Sequence, residues 1–239
     1  DGETIRFGAF SSEGGVLLCR KIAGSLRDWL KSRGADVRDH CTVSSLDPEA
    51  GQVRLESGEL LSADRVVVMA GAWVLKLLPQ LQTSLTTYRT AVAYLTPPDD
   101  LLPHWQQAPA ILDVGGSVDG YVLPPVAGTG LKVGAGIHKY TCEPDQDRAV
   151  KDGEGIALRN HFSPPFARIN EYDVADVVTC AYTFTADQHF FVQEIGKTVA
   201  VSACSGHGYK FGAAVGRRVA AGILTNTVDD ARTWLEARD

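Results

Sequence analysis

Apolar residues recur at helical spacing over positions 17–33, through Leu18, Ile22, Leu26, Trp29 and Leu30. This pattern predicts an amphipathic helix, and Gly34 supplies its stop. Positions 36–46 alternate imperfectly, as an edge or surface strand does. The stretch 52–61 reads as a hairpin turning at Ser57-Gly58. The run Val66-Val67-Val68-Met69 is wholly apolar, the mark of a buried strand, and Gly71 breaks it. A short helix is expected over 73–78. Helix, strands and hairpin together form one half of a dinucleotide-type α/β domain.

A different texture begins near Leu85. Short strand candidates at 89–95, 110–114, 120–123 and 130–137 are separated by Pro and Gly turns, which predicts an antiparallel sheet inserted into the α/β domain. A helix is expected over 147–160, ended by Pro164-Pro165. Strands return at 174–183, 190–193 and 198–204, with Gly196-Lys197 turning between the last two. The loop 205–208 then feeds a helix through Leu224 built around Phe211, Val215, Val219 and Ile223. A final amphipathic helix is expected over 230–237. The fold class is therefore α/β with a mixed, antiparallel-rich sheet.

Composition narrows the partners. The 239 residues are 44% hydrophobic and 22% charged, ordinary values for a globular protein. A formal net charge of −6 disfavours nucleic acid and anionic membrane surfaces. The five cysteines are scattered, with no CxxC pair and no metal-ligand spacing, so neither a metal site nor a disulfide scaffold is expected. A reducing cytoplasm is the simpler setting. No apolar stretch reaches the ~20 residues that span a bilayer, and the chain opens without a signal-peptide pattern.

Three segments carry chemistry. In Ser205-Gly206-His207-Gly208-Tyr209-Lys210-Phe211, glycines flank His207 between an apolar strand and an apolar helix. They permit a tight turn and close backbone approach to a flat ligand. The helix that follows aims free N–H groups and partial positive charge at the same point. An ordinary strand-to-helix turn has the same local pattern. In Thr179-Cys180-Ala181-Tyr182-Thr183, alternation puts Cys180 and Tyr182 on one side of a strand. A cysteine there is either a small buried hydrophobe or a nucleophile able to attach to an activated flavin. In Gly130-Leu131-Lys132-Val133-Gly134, Lys132 faces away from its apolar neighbours, toward solvent or into a pocket. No GxGxxG follows an opening strand. The nearest candidate, 130–136, carries Lys132 where a pyrophosphate needs glycine, and no suitable helix follows it.

The order of these motifs resembles the monomeric sarcosine oxidase and N-methyltryptophan oxidase family within the D-amino-acid oxidase superfamily. The resemblance rests on EGGVLL (13–18), ADRVVVMAGAW (63–73), YRTAV (88–92), GLKVG (130–134), CAYTFTADQHF (180–190) and SGHGYKF (205–211). It implies a truncated glutathione-reductase-like FAD domain, formed by 14–85 and 185–239, with a substrate domain at 86–184. It also implies FAD attached through Cys180, with Gly206, His207, Gly208 and Tyr209 around the cofactor. Lys132 resembles an oxygen-activating lysine. Tyr182 and His207 resemble active-site residues, and Tyr121, Tyr182 and Lys210 resemble substrate contacts.

Two departures stand out. Where the family carries an active-site histidine after the lysine strand, this sequence has Gly136, and His138 comes two residues late. The family's N-terminal GxGxxG has no counterpart, and the polar, glycine-rich opening over 1–15 has no initiator Met and no opening strand. The expectation is a truncated or cleaved chain, or one half completed by a companion polypeptide. The implied activity is oxidation of the C–N bond of a secondary amine or N-substituted amino acid by molecular oxygen, giving an imine and hydrogen peroxide. A flavin-dependent dehydrogenase with another electron acceptor, a non-catalytic flavin-binding subunit and a structural fragment are the alternatives.

Overall fold

The computed structural model of the protein describes residues 7–114 and 118–238. In chain order the elements are α1 (Cys19–Ser32), β1 (Val43–Asp47), β2 (Gln52–Leu55), β3 (Leu60–Ser62), β4 (Val66–Val68) and α2 (Val74–Leu77). Next come β5 (Thr86–Thr96), α3 (Leu102–Trp105), β6 (Ile111–Leu112), β7 (Gly120–Leu123), β8 (Leu131–Ala135), β9 (Tyr140–Thr141) and α4 (Glu154–His161). The chain closes with β10 (Asp173–Phe184), β11 (Phe191–Ile195), β12 (Thr198–Ser202), α5 (Gly208–Thr225) and α6 (Val228–Leu235). The strand-free opening expected over 1–15 lies partly outside the described residues, and 7–15 holds no helix or strand. Among the described residues no helix is long and apolar enough to cross a membrane.

The chain divides into two compact units. One joins residues 7–17 to Arg89–Ala181, and the other joins Leu18–Tyr88 to residues 182–238. The first is built on a six-stranded sheet ordered β10-β5-β8-β7-β6, with β9 also on β5. β5/β8, β8/β7 and β7/β6 are antiparallel. Alternate residues of these strands, Ala91, Ala93, Leu95, Val122, Leu131 and Val133, bury one face against Leu158 of α4 and Phe162 just after it.

The helix expected over 147–160 begins only at Glu154. Arg89, fully buried, explains the delay. Its guanidinium donates to the Asp147 and Ala149 carbonyls and pairs with the Glu154 carboxylate. Those carbonyls are thereby held outside a helical ladder, and Gly153, at φ 73°, turns the chain into α4. The strand expected to reach Ile137 stops at Ala135 and gives way to a 3₁₀ turn over Gly136–His138.

The second unit has two small sheets. β1-β2-β3 is an antiparallel meander whose second hairpin turns at Gly58, φ 90°. In the other sheet β11 and β12 form a hairpin, and β4 runs parallel to β12. Val192, Val199 and Val201 pack on Val215 and Val219 of α5 and on Val228 and Leu235 of α6. Val68 and Ala200 pack with Val74, Leu78, Leu81 and Leu85.

α1 ends in a Schellman arrangement, with Ala35 N–H on the Leu30 carbonyl and Gly34 N–H on that of Lys31. Its apolar stripe is present, yet none of its residues is buried. β4 also departs from expectation. Val68 is buried, but Val67 is 42% and Met69 51% exposed, and among the described residues β4 pairs only with β12.

Candidate functional site

Strand register decides what the first unit's sheet presents opposite α4. Tyr121 on β7 pairs with Gly134 on β8, and Leu123 pairs with Lys132. Across the other edge of β8, Tyr94 of β5 pairs with Lys132 and Val92 with Gly134. Paired residues share a face, so Tyr94, Tyr121, Leu123 and Lys132 lie together on the side away from α4. The Lys132 ammonium stands 5.8 Å from the Tyr121 ring centre, within cation–π reach.

Gly134 leaves room for that arrangement. A Cβ on it would sit 2.6 Å from Cζ of Tyr121 and 2.7 Å from its hydroxyl. Burial first, then the proximity of Cys180 and Tyr94, pushes the Tyr121 phenol up to about 12. It is therefore a neutral hydrogen-bonding group at physiological pH.

Cys180 is aimed by its neighbours on β10. Val177 lies against Gly155 of α4, where an added Cβ would meet its Cγ2 at 2.6 Å. The Thr179 hydroxyl donates to the Arg148 carbonyl at 2.7 Å, and Arg148 Nη2 donates back to the Thr179 carbonyl at 3.1 Å. With 177 and 179 turned that way, alternation sends Cys180 to the face shared by Lys132 and Tyr121. Tyr182, two residues on and half-buried, follows the same alternation.

His138 is elsewhere. Its Nδ1 lies 3.8 Å from Glu154 of α4, so the late histidine belongs to the buried Arg89–Glu154 cluster. Glu154 is held below the ordinary carboxylate range, chiefly by its hydrogen bond from Arg89.

In the second unit, the turn between β12 and α5 is strained. Ala203 (φ 54°), Ser205 (φ 44°) and Gly206 (φ 80°) all occupy the left-handed region, which for a residue other than glycine costs about 1–3 kcal/mol and clusters at functional sites. The buried Thr183 hydroxyl accepts the Ala203 N–H at 3.2 Å and shares a hydrogen with Ser202 at 2.8 Å. The Thr183 carbonyl accepts the Ser205 N–H at 3.1 Å.

Gly208 opens α5 so close to Cys204 that an added Cβ would meet the cysteine Cβ at 2.5 Å. No side chain caps the 18-residue helix, and its first turn is free of acidic residues. Its N-terminal N–H groups and dipole would favour an acceptor or anion placed before them. His207 is the N-cap residue, and partial burial followed by the nearby Lys210 charge lowers its pKa, favouring the neutral imidazole. The Tyr209 hydroxyl donates to the Cys19 carbonyl at 2.6 Å, tying the start of α5 to that of α1. Lys210 is exposed beside the turn.

Each unit thus gathers part of the expected set: Tyr121, Lys132 and Cys180 in one, and Gly206, His207, Gly208, Tyr209 and Lys210 in the other. Sequence reasoning missed Tyr94, Gly134 and Thr183. Alternation along 89–95 carried a signal for Tyr94. The contacts of Gly134 and Thr183 depend on cross-strand register and on a turn between strands, which left no local signal.

The chain belongs to the FAD dependent oxidoreductase family, whose profile matches residues 2–221. Among curated proteins it is similar to monomeric sarcosine oxidase of Bacillus sp. (strain B-0618), 27% identical over 92% of this chain and 58% of that protein. Monomeric sarcosine oxidase of Arthrobacter sp. (strain TE1826) is 24% identical over 92% of this chain and 59% of its own length. The chain therefore spans under two thirds of the curated relatives it matches. In fold it is similar to a thermally stable mutant of fructosyl peptide oxidase, with TM-score 0.73 and 19% identity over 93% of this chain and 58% of that one. Amadoriase II from Aspergillus fumigatus, a deglycating fructosamine oxidase, matches with TM-score 0.66 and 15% identity over 82% of this chain and 50% of its own.

Proposed function

We propose that the complete protein oxidises the C–N bond of a secondary amine or N-substituted amino acid with FAD and molecular oxygen. The observation that carries this reading is the convergence of Lys132, Tyr121 and Cys180 on the sheet face opposite α4. The residues fit a flavin. The uncapped start of α5, behind a strained turn, suits the electron-rich pyrimidine edge, and Cys180 offers a thiol for covalent attachment. A bound FAD would supply two-electron redox chemistry, accepting a hydride equivalent from the carbon beside nitrogen, with the nitrogen losing a proton to give a hydrolysable imine and oxygen taking up two electrons and two protons as hydrogen peroxide.

The protein's own groups orient and stabilise. The Lys210 ammonium holds the substrate carboxylate. Neutral His207 and the neutral phenol of Tyr121 offer hydrogen bonds without placing a charge beside the reacting amine, and Tyr182 borders the substrate. Lys132 keeps a fixed positive charge where negative charge develops on oxygen. Sarcosine, for which the curated relatives are named, is an N-methyl amino acid of the proposed class.

In this reading residues 14–85 and 185–239 form part of a glutathione-reductase-like FAD domain and 86–184 the substrate domain. A companion segment, from a longer form of this polypeptide or another chain, completes the FAD domain beside β4. The exposed Val67 and Met69 and the unburied apolar stripe of α1 support that completion. The test is rapid kinetics on full-length Lys132→Met. Reoxidation of the reduced flavin by oxygen should slow far more than anaerobic reduction by amine, and equal losses in both half-reactions would reject the assignment. Flavin released by denaturing the Cys180→Ser variant, but retained by the parent, would support attachment at Cys180.

A further inference from the structure

We infer that Thr183 is a positioning residue: its side chain clamps the strained turn before α5 in the shape that delivers the helix N-terminus to the flavin. The inference rests on the flavin reading above and deepens it. Two of the three left-handed residues in the turn, Ala203 and Ser205, carry side chains that disfavour this conformation. Something must hold them there, and Thr183 is bonded to both. Its hydroxyl accepts the Ala203 N–H, and its carbonyl accepts the Ser205 N–H. The Ser202 hydroxyl lies 2.8 Å away as a second hydrogen-bond partner, so the buried Thr183 hydroxyl is bonded to two groups.

Behind the clamped residues, the His207 N–H bonds to the Cys204 carbonyl at 2.6 Å, and Gly208 packs on Cys204. The first turn of α5 therefore inherits its place from the turn before it. Releasing Ala203 relaxes the turn toward ordinary dihedrals and shifts the N–H groups that follow. Thr183 touches neither cofactor nor substrate in this scheme and acts through backbone it never leaves.

The experiment compares Thr183→Val, which keeps shape and removes the hydroxyl, with Thr183→Ser, which keeps the hydroxyl. Because Thr183→Val strands the buried Ser202 hydroxyl, the double variant Thr183→Val/Ser202→Ala guards against simple misfolding. Amide hydrogen exchange at Ala203 should quicken about tenfold in both valine variants, as expected for one lost hydrogen bond, and stay near the parent rate in Thr183→Ser. In the flavin-loaded full-length protein, affinity for sulfite, an anion that adds to the flavin and places negative charge on the pyrimidine edge, should weaken in the valine variants and recover in Thr183→Ser.

Exchange unchanged in the valine variants, exchange equally fast in Thr183→Ser, or unaltered sulfite affinity would each overturn the inference. A full-length protein that binds no flavin would instead refute the functional reading, and the exchange comparison would still decide whether Thr183 holds the turn.

Discussion

Tyr121 lies directly against the α-carbon of Gly134, its partner across the strands, and one methyl group is enough to disturb it. Gly134→Ala places a carbon 2.6 Å from the ring, a contact that must be relieved by moving the ring or the strand. Thermal or urea unfolding should show a loss of about 1–3 kcal/mol, the usual cost of overpacking. Arg89 and Glu154 make a second residue-scale case. Removing one partner of a buried ion pair leaves the other uncompensated, so Glu154→Gln should lower stability at neutral pH by about 3–5 kcal/mol in urea titrations. The sign with pH follows from the depressed Glu154 pKa. The pair's contribution is present above the unfolded glutamate value and is lost as pH falls through the lower folded one. Parent stability should therefore fall more steeply in acid than that of Glu154→Gln.

At the scale of elements, β10 shows how a strand is aimed. Arg148 and Thr179 exchange two hydrogen bonds one residue before Cys180. Arg148→Met should loosen that stretch and raise the rate of Cys180 alkylation severalfold, read by mass spectrometry of the labelled peptide. An unchanged rate would mean that strand pairing alone fixes the thiol. The same elements show what periodicity conveys. β7 and the stop of α1 at Gly34 were legible because alternation and a glycine C-cap are local signals. The start of α4 was not, because Arg89, far upstream, takes the carbonyls that a longer helix would use. Likewise, β8 ends early where the chain turns His138 toward Glu154.

For the molecule as a whole, the exposed edge is the feature with consequences. β4 is an apolar strand carrying neither the charge nor the proline that usually protect an edge. Such a surface invites pairing with another strand. The 239-residue chain should therefore self-associate as its concentration rises, and Val67→Lys should shift sedimentation toward the monomer. Val67 is solvent-facing here, so that substitution should leave the unfolding midpoint nearly unchanged. A parent that stays monomeric at every concentration would show that the edge is harmless.

By itself the sequence determined the alternation that makes strands, the stripe that makes α1, and the order of motifs that places the chain in a flavoprotein family. Each depends on residues a few positions apart, or on short words read in order. Only tertiary structure decided which strands pair, and pairing is what set Lys132, Tyr121 and Cys180 on one face. It also sent His138 to Glu154 and left β4 half exposed. Those outcomes depend on register and on contacts between distant segments, and a one-residue change in register reverses every side chain on a strand without changing its composition.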